Sequence, residues 1–360
     1  MTGQVTNGTT GAAVPADLPI TLHVLSGMEE TGTYTTTVAA DGSFRFDGLV
    51  VGQEQAVVAE TTYQDATYFS EPDWLAAAEG ELSLPLVIYE TTADPADILV
   101  TQLHIFIRRL GDSPHRLECG EVYLLSNTGE RTYVGAPDAA SGRRATLDFT
   151  LPEGAENLRF DGPGLGERFL ERPGGFADTM PIPPGVATVS VLLSYELPYR
   201  PGLQLEWTFA APIASVVIVL PGPGLALDGA GLTSAGTIDT QMGTALSYTA
   251  GPLAAGQTLA IALVEDASAA PAAAAVSSRP QDVALGLAAL AAAVLAAYRL
   301  WRSPAPPMPA QVRPIVDAIA ALDDDFEAGR IAEETYHRER AVRLQQAQAL
   351  LEENAGDRDP

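Results

Sequence analysis

PITLHVLSGMEETGTYTTTVAADGSFRFDGL, residues 19–49, is the stretch that decides the fold class. Ile20, Leu22 and Val24 fall on one side of an extended chain and Thr21 and His23 on the other, the period-two pattern of a half-buried strand. Asp41-Gly42 marks a tight turn, because Gly42 can take positive φ without strain. Beyond it Phe44 and Phe46 share a face while Arg45 points away. Working outward, AVVAET (56–61), ATYFS (66–70) and LSLPLVIYE (82–90) repeat the pattern. Strands this short, at roughly ten-residue spacing, predict an antiparallel β-sandwich.

Residues 99–268 keep the β character with different turns. LHIFIR (103–108), EVYLLSN (121–127), RTYVG (131–135) and RATLDFTLPEGA (144–155) read as strands. So do VATVSVLLSYELPY (186–199), LQLEWTF (203–209), ASVVIVLP (214–221) and TLAIALVE (258–265). Prolines at 183, 184, 198, 201, 212, 221 and 223 punctuate them, and proline is tolerated in sheets only at edges and turns. The region is one large sandwich or two smaller ones split near residue 200.

Three features of the first 98 residues belong together: GQVTNGT at 3–9, the PITLHVL strand, and TYTTTVAADGSFRFDGL at 33–49. With them this region resembles the carboxypeptidase regulatory-like (prealbumin-like) β-sandwich family. The resemblance implies a non-catalytic sandwich appended to secreted or membrane proteins and related to carbohydrate-binding modules. It carries no catalytic residues to transfer.

The chain has 360 residues, 46% hydrophobic and 18% charged, which argues against wholesale disorder and allows two or three cores. A net charge of −26 weighs against nucleic acid as a partner, since phosphate recognition needs a basic face. All 20 basic residues are arginine, which leaves no lysine for Schiff-base or P-loop chemistry. One cysteine, Cys119, excludes an intramolecular disulfide and a multi-cysteine metal site.

After an Ala/Pro-rich linker (269–282), VALGLAALAAAVLAAYRLW at 283–301 holds a single charge, Arg299. Nineteen helical residues span about 28 Å, close to the roughly 30 Å of bilayer hydrocarbon, so a transmembrane helix is expected. Tyr298 and Trp301 suit the interface, and Arg299 can reach the headgroups. Arg299, Arg302 and Arg313 on one flank, against Arg279 offset by Asp282 on the other, place the C-terminus in the cytoplasm and the β domains outside. That arrangement normally uses a cleaved leader, and MTGQVTNGTTG runs straight into the first strand; a lost signal is the expectation.

Chemistry-bearing clusters are sparse. His104, His115 and Cys119 are candidate metal ligands by residue type, but the spacing H-x10-H-x3-C fits no standard ligand motif, and no metal or other cofactor is assigned. GPGLGERF at 162–169 lacks the strand-to-helix context of a phosphate loop and reads as a turn. Neither GxSxG nor HExxH occurs. No catalytic residue is assigned. Tyr63, Tyr68, Phe69 and Trp74 are the aromatic residues from which a sugar-binding platform could be built.

After a Pro-rich joint (302–309), residues 310–354 read as a cytoplasmic helical hairpin. Ile315, Ile319, Leu322 and Phe326 form an amphipathic stripe, Gly329 breaks it, and a second helix begins near Ile331. With its GRIAEETY run, this part resembles the short C-terminal (SHOCT-like) hairpins of bacterial membrane and envelope proteins. The resemblance implies a small interaction element, and two short helices with one apolar stripe each form so small a core that the hairpin is expected to self-associate or dock on a cytoplasmic partner. The whole reads as a single-pass, mainly β envelope protein: tandem β-sandwich ectodomain, one transmembrane helix, C-terminal hairpin. Its expected function is non-catalytic binding or scaffolding of a carbohydrate or an envelope protein. The alternatives are a transmembrane sensor or assembly accessory and a cell-wall-acting enzyme.

Overall fold

Ile20, Leu22 and Val24 are 0, 0 and 2% exposed, so the alternation read from the sequence becomes the inward face of a sheet. A computed structural model describes residues 1–265 apart from 28, 50–54, 75–82, 111–112, 223 and 241–242. The 283–301 segment and the hairpin residues Ile315, Ile319, Leu322, Phe326, Gly329 and Ile331 lie outside the described residues. Among the described residues the chain is mainly β, and no helix is long and apolar enough to cross a membrane.

The first module contains β1 (Thr2–Asn7), β2 (Pro19–Ser26), β3 (Glu29–Thr37), β4 (Ser43–Arg45) and β5 (Ala56–Tyr63). It continues with β6 (Ala66–Phe69), β7 (Asp73–Trp74), β8 (Ser83–Ile88) and β9 (Thr91–Thr92). One sheet runs β4-β1-β8, with β1 and β8 parallel; the other runs β3-β2-β5-β6, with β7 also on β5. Val5, Phe44, Leu84, Leu86 and Ile88 from the first meet Ile20, Leu22, Val57 and Tyr68 from the second in one sandwich core. The predicted Asp41-Gly42 turn is present: Gly42 has φ +83°, and Asp41 Oδ1 accepts from the Ser43 amide and hydroxyl. Pro85 sits on β8, an edge strand, where its missing N–H costs no ladder bond.

The second region begins with β10 (Ile98–Leu110), β11 (Ser113–Asn127), β12 (Thr132–Tyr133), β13 (Ala136–Pro137) and β14 (Arg144–Ala145). Next come β15 (Leu147–Thr150), β16 (Glu156–Phe160), β17 (Phe169–Arg172), β18 (Gly175–Asp178) and β19 (Gly185–Pro198). It closes with β20 (Gln204–Thr208), β21 (Val216–Pro221), β22 (Ala226–Asp228), β23 (Thr233–Thr240), β24 (Gly243–Ala250) and β25 (Thr258–Val264). Seven strands form one sheet, β16-β19-β11-β10-β21-β24-β23. Strands from both sides of residue 200 thus share it, and a single apolar cluster extends from Ile98 to Leu263. The facing layer comprises β15-β18-β17 and β20-β25-β22. These join where Thr150 Oγ1 donates to the Thr208 carbonyl at 2.8 Å and accepts from the Thr208 amide at 3.1 Å. GPGLGERF occupies the connection from β16 to β17.

The two parts are joined by more than covalent linkage. β9 pairs in parallel with β12, and the Val134 amide donates to the Thr92 carbonyl. The Val134 side chain, 3% exposed, belongs to the first module's core. Tyr68 Oη is hydrogen-bonded across the junction to Thr132 Oγ1 at 2.9 Å. Thr9 Oγ1 donates to the Glu130 carbonyl at 2.8 Å.

Candidate binding face

The alternation that buries Ile20, Leu22 and Val24 turns Thr21 and His23 to the opposite face of β2. Register then decides which residues join them. Thr35 of β3, Thr21 of β2, Glu60 of β5 and Phe69 of β6 form one transverse row, and Thr33, His23 and Val58 form the next. Thr33, Thr35, Thr37, Thr62 and Thr67 are exposed, and the Phe69 ring is 60% exposed at the end of its row.

His23 organises the centre of this face. Its Nδ1 lies 2.7 Å from Glu30 Oε2 and its Nε2 lies 3.0 Å from Glu60 Oε2, so one imidazole links three strands. Thr33 Oγ1 donates to Glu30 Oε1 at 2.8 Å. The His23 bond, followed by that of Thr33, holds the Glu30 carboxyl below its ordinary value. The face therefore presents hydroxyls, two oriented carboxylates and one open aromatic ring on a sheet. Such a surface stacks against an apolar ring face and hydrogen-bonds its rim.

Of the other aromatic candidates, Tyr63 and Tyr68 do not share this surface. Tyr68 is 5% exposed and its hydroxyl is hydrogen-bonded to the Tyr89 carbonyl and the Thr132 hydroxyl, while Tyr63 Oη donates to Glu90 Oε1 at 2.8 Å. Trp74 contributes its backbone to β7, and its side chain lies outside the described residues. The platform reduces to Phe69. Sequence reading named Phe69 but not His23, Glu30 and Glu60 as its neighbours. The alternation around His23 was a signal; the register that brings Glu60 beside it was not.

The metal-ligand candidates do not converge. His104 projects from the outer face of β10 opposite Val122 and Val217, with Gln102 Oε1 3.3 Å away, and burial lowers its pKa. Cys119 is fully buried on the inner face of β11, opposite Ile107, and burial pushes its thiol well above the ordinary range. His115 is exposed near the start of β11. No group of three or more His, Cys, Asp or Glu is arranged to hold a metal ion among the described residues.

One buried polar centre escaped the sequence reading altogether. Glu121, 1% exposed, accepts from Tyr123 Oη (2.7 Å), Tyr195 Oη (2.6 Å) and Trp207 Nε1 (2.6 Å) inside the larger core. Burial raises its carboxyl pKa while the three donors pull it down. The centre is sealed from solvent, so its chemistry is cohesive. Nearby, a shallow cleft between β15 and β20 is lined by Tyr123, Leu147, Phe149 and Phe209. It holds one carboxylate, Asp148, which pairs with Arg172 Nε at 3.2 Å.

No family model matches the chain, and no curated protein matches it. Among solved structures, it is similar to an M1 zinc metallopeptidase mutant from Deinococcus radiodurans bound to a Tyr-ser-ala substrate. Identity there is 14%, with 53% of this chain and 52% of that chain covered and a TM-score of 0.27. A second likeness is to the yeast delta-COP-I mu-homology domain complexed with a Dsl1 WxWxV peptide: 12% identity, 49% and 77% covered, TM-score 0.16. A third is to the full-length major pilin SpaD from Corynebacterium diphtheriae: 9% identity, 73% and 81% covered, TM-score 0.17. The chain spans about half the length of the metallopeptidases it matches. None of these likenesses places the chain in a family.

Proposed function

We propose that this is a non-catalytic, membrane-anchored envelope protein that binds a carbohydrate or protein partner through the outer face of β3-β2-β5-β6. The observation that carries the reading is Phe69, a large apolar ring left 60% exposed beside the hydrogen-bonded His23–Glu60 pair. A solvent-exposed ring at the end of a row of hydroxyls and carboxylates gains by being covered, and its polar neighbours supply orientation. The resemblance of residues 3–49 to carboxypeptidase regulatory-like modules supports the same reading. The anchor rests on the 283–301 sequence and its flanking arginines, with the hairpin as a cytoplasmic contact.

The test is a pull-down of the intact chain on purified cell-wall polysaccharide and, separately, on solubilised envelope proteins. Phe69→Ala should weaken capture on one of the two at least fivefold, and Glu60→Gln should weaken it on the same one. Capture on either support that is indifferent to both substitutions would assign the contact to another surface.

A further inference from the structure

Strand β3 is the edge of its sheet, paired with β2 on one side and with no strand on the other among the described residues. Its run Gly32–Thr37, GTYTTT, is uncharged, regular in its pairing to β2, and rich in residues that favour strands. Proteins commonly protect such edges with lysine, proline, charge, bulges or shortness. This chain contains no lysine, and Gly32–Thr37 shows none of the other devices.

The other edges do. β16 carries Glu156, Arg159 and a register shift; β17 carries Glu171 and Arg172 over four residues; β22 has three residues ending in Asp228; β4 has three residues. β23 is interrupted by a bulge at Ser234–Gly236. The Gly32–Thr37 run of β3, beyond Glu29, Glu30 and the register shift at Thr31, stands apart as a regular and uncharged edge.

We propose that β3 pairs with β3 of a second copy of this chain, antiparallel about a two-fold axis at Thr35. That register sets Thr35 opposite its own copy and Thr33 opposite Thr37 of the other, giving three threonine pairs on the outer face. Tyr34 meets Thr36 on the inner side. Cross-strand threonine pairs and aromatic–β-branched pairs are favourable neighbours in sheets. A two-fold contact between identical strands must be self-complementary, and a run without charge meets that condition in a chain of net charge −26. The acidic residues of β3 stay apart: Glu30 of one copy aligns ten residues from Glu30 of the other, roughly 34 Å at strand rise and beyond the Debye length. The pairing continues the sheet and makes the two candidate binding faces one surface. A contact along six residues buries less than the ~1,600 Å² of a standard interface, so the dimer is weak and concentration-dependent.

The position on the axis gives a direct test. Directly opposed Cβ atoms lie about 4.5–5.5 Å apart, near the reach of a disulfide, and the native Cys119 is fully buried. The intact Thr35→Cys chain, in mild detergent under an oxidant, should form a reducible dimer at least tenfold faster than Thr21→Cys, which lies one strand inward. Adding Thr37→Lys should suppress that cross-link at least tenfold. In the unmodified chain, amides of Gly32–Thr37 should exchange more slowly at high than at low protein concentration. A Thr35→Cys chain that cross-links no faster than Thr21→Cys, a cross-link indifferent to Thr37→Lys, or exchange independent of concentration would each overturn the proposal. Phe69→Ala should leave the cross-link intact, which separates this inference from the partner-binding reading.

Discussion

Glu121 shows how much one side chain can hold. A carboxyl in an apolar core costs several kcal/mol unless its oxygens are satisfied. Here three donors satisfy them, two from the seven-stranded sheet and one, Trp207, from the facing layer. The residue therefore fixes how the two layers sit. Glu121→Ala strands three buried donors and opens a void, and should cost about 3–5 kcal/mol in urea unfolding. Glu121→Gln keeps the shape but removes the titration. The folded-state pKa of Glu121 is raised, so the folded protein holds its proton at pH values where the unfolded chain has released it. Wild-type stability therefore falls as pH rises from the unfolded value near 4.5 to the folded one, by at most about 1.4 kcal/mol per pH unit. The Gln variant lacks that loss, so its stability relative to wild type should improve over the same window and then level off. A difference that is flat with pH would show that Glu121 titrates alike in both states. In the sequence Glu121 only opens the strand-like run EVYLLSN; the β11–β19 register, which sets Tyr195 opposite Cys119, and the crossing of Trp207 give it partners.

Elements were more legible than contacts. In the first module β2, β4, β5, β6 and β8 follow from period two and from turn residues such as Asp41-Gly42, each with a local cause. The strands of the large sheet read instead as nearly continuous apolar runs, IFI in β10, VYLL in β11 and VVIVL in β21. Their structure explains this: Phe106, Val122, Leu124 and Val219 point away from the sandwich core yet are 8, 5, 3 and 4% exposed, so both faces are apolar. The pairings β1–β8 and β10–β21 are parallel and distant in sequence, and parallel neighbours have no hairpin turn to announce them. The β9–β12 contact is equally silent, though Val134 completes the first module's core from the next part of the chain. Val134→Ala should cost about 2 kcal/mol by loss of buried methyls. Its signature is where the cost appears: hydrogen exchange should speed up at Ile20–Val24 in the first module. Faster exchange confined to residues near 134 would mean that the two cores open independently.

At the scale of the whole molecule, the β character and the change of composition near residue 269 are plain in the sequence, because sheets and low-complexity linkers differ in kind. The candidate face was only half visible, since a face is a product of register and the sequence shows one strand at a time. The orientation proposed above rests on local composition as well. Moving arginine across a bilayer is costly, so the side of a span richer in arginine stays in the cytoplasm. Arg299 lies near the end of the apolar run and Arg302 and Arg313 follow it, whereas Arg279 before it is offset by Asp282. A reporter enzyme that works only in the cytosol, fused after Pro360, should therefore be active, and protease added to spheroplasts should digest the β region while sparing the tail. Reversing the asymmetry supplies the control: Arg299→Glu with Arg302→Glu leaves Arg313 as the sole nearby arginine on that flank and adds acidic residues there. The fraction of chains with a cytosolic reporter should fall. A β region protected from protease in the unmodified chain would invert the topology, and with it the assignment of the β3-β2-β5-β6 face to partners outside the cell.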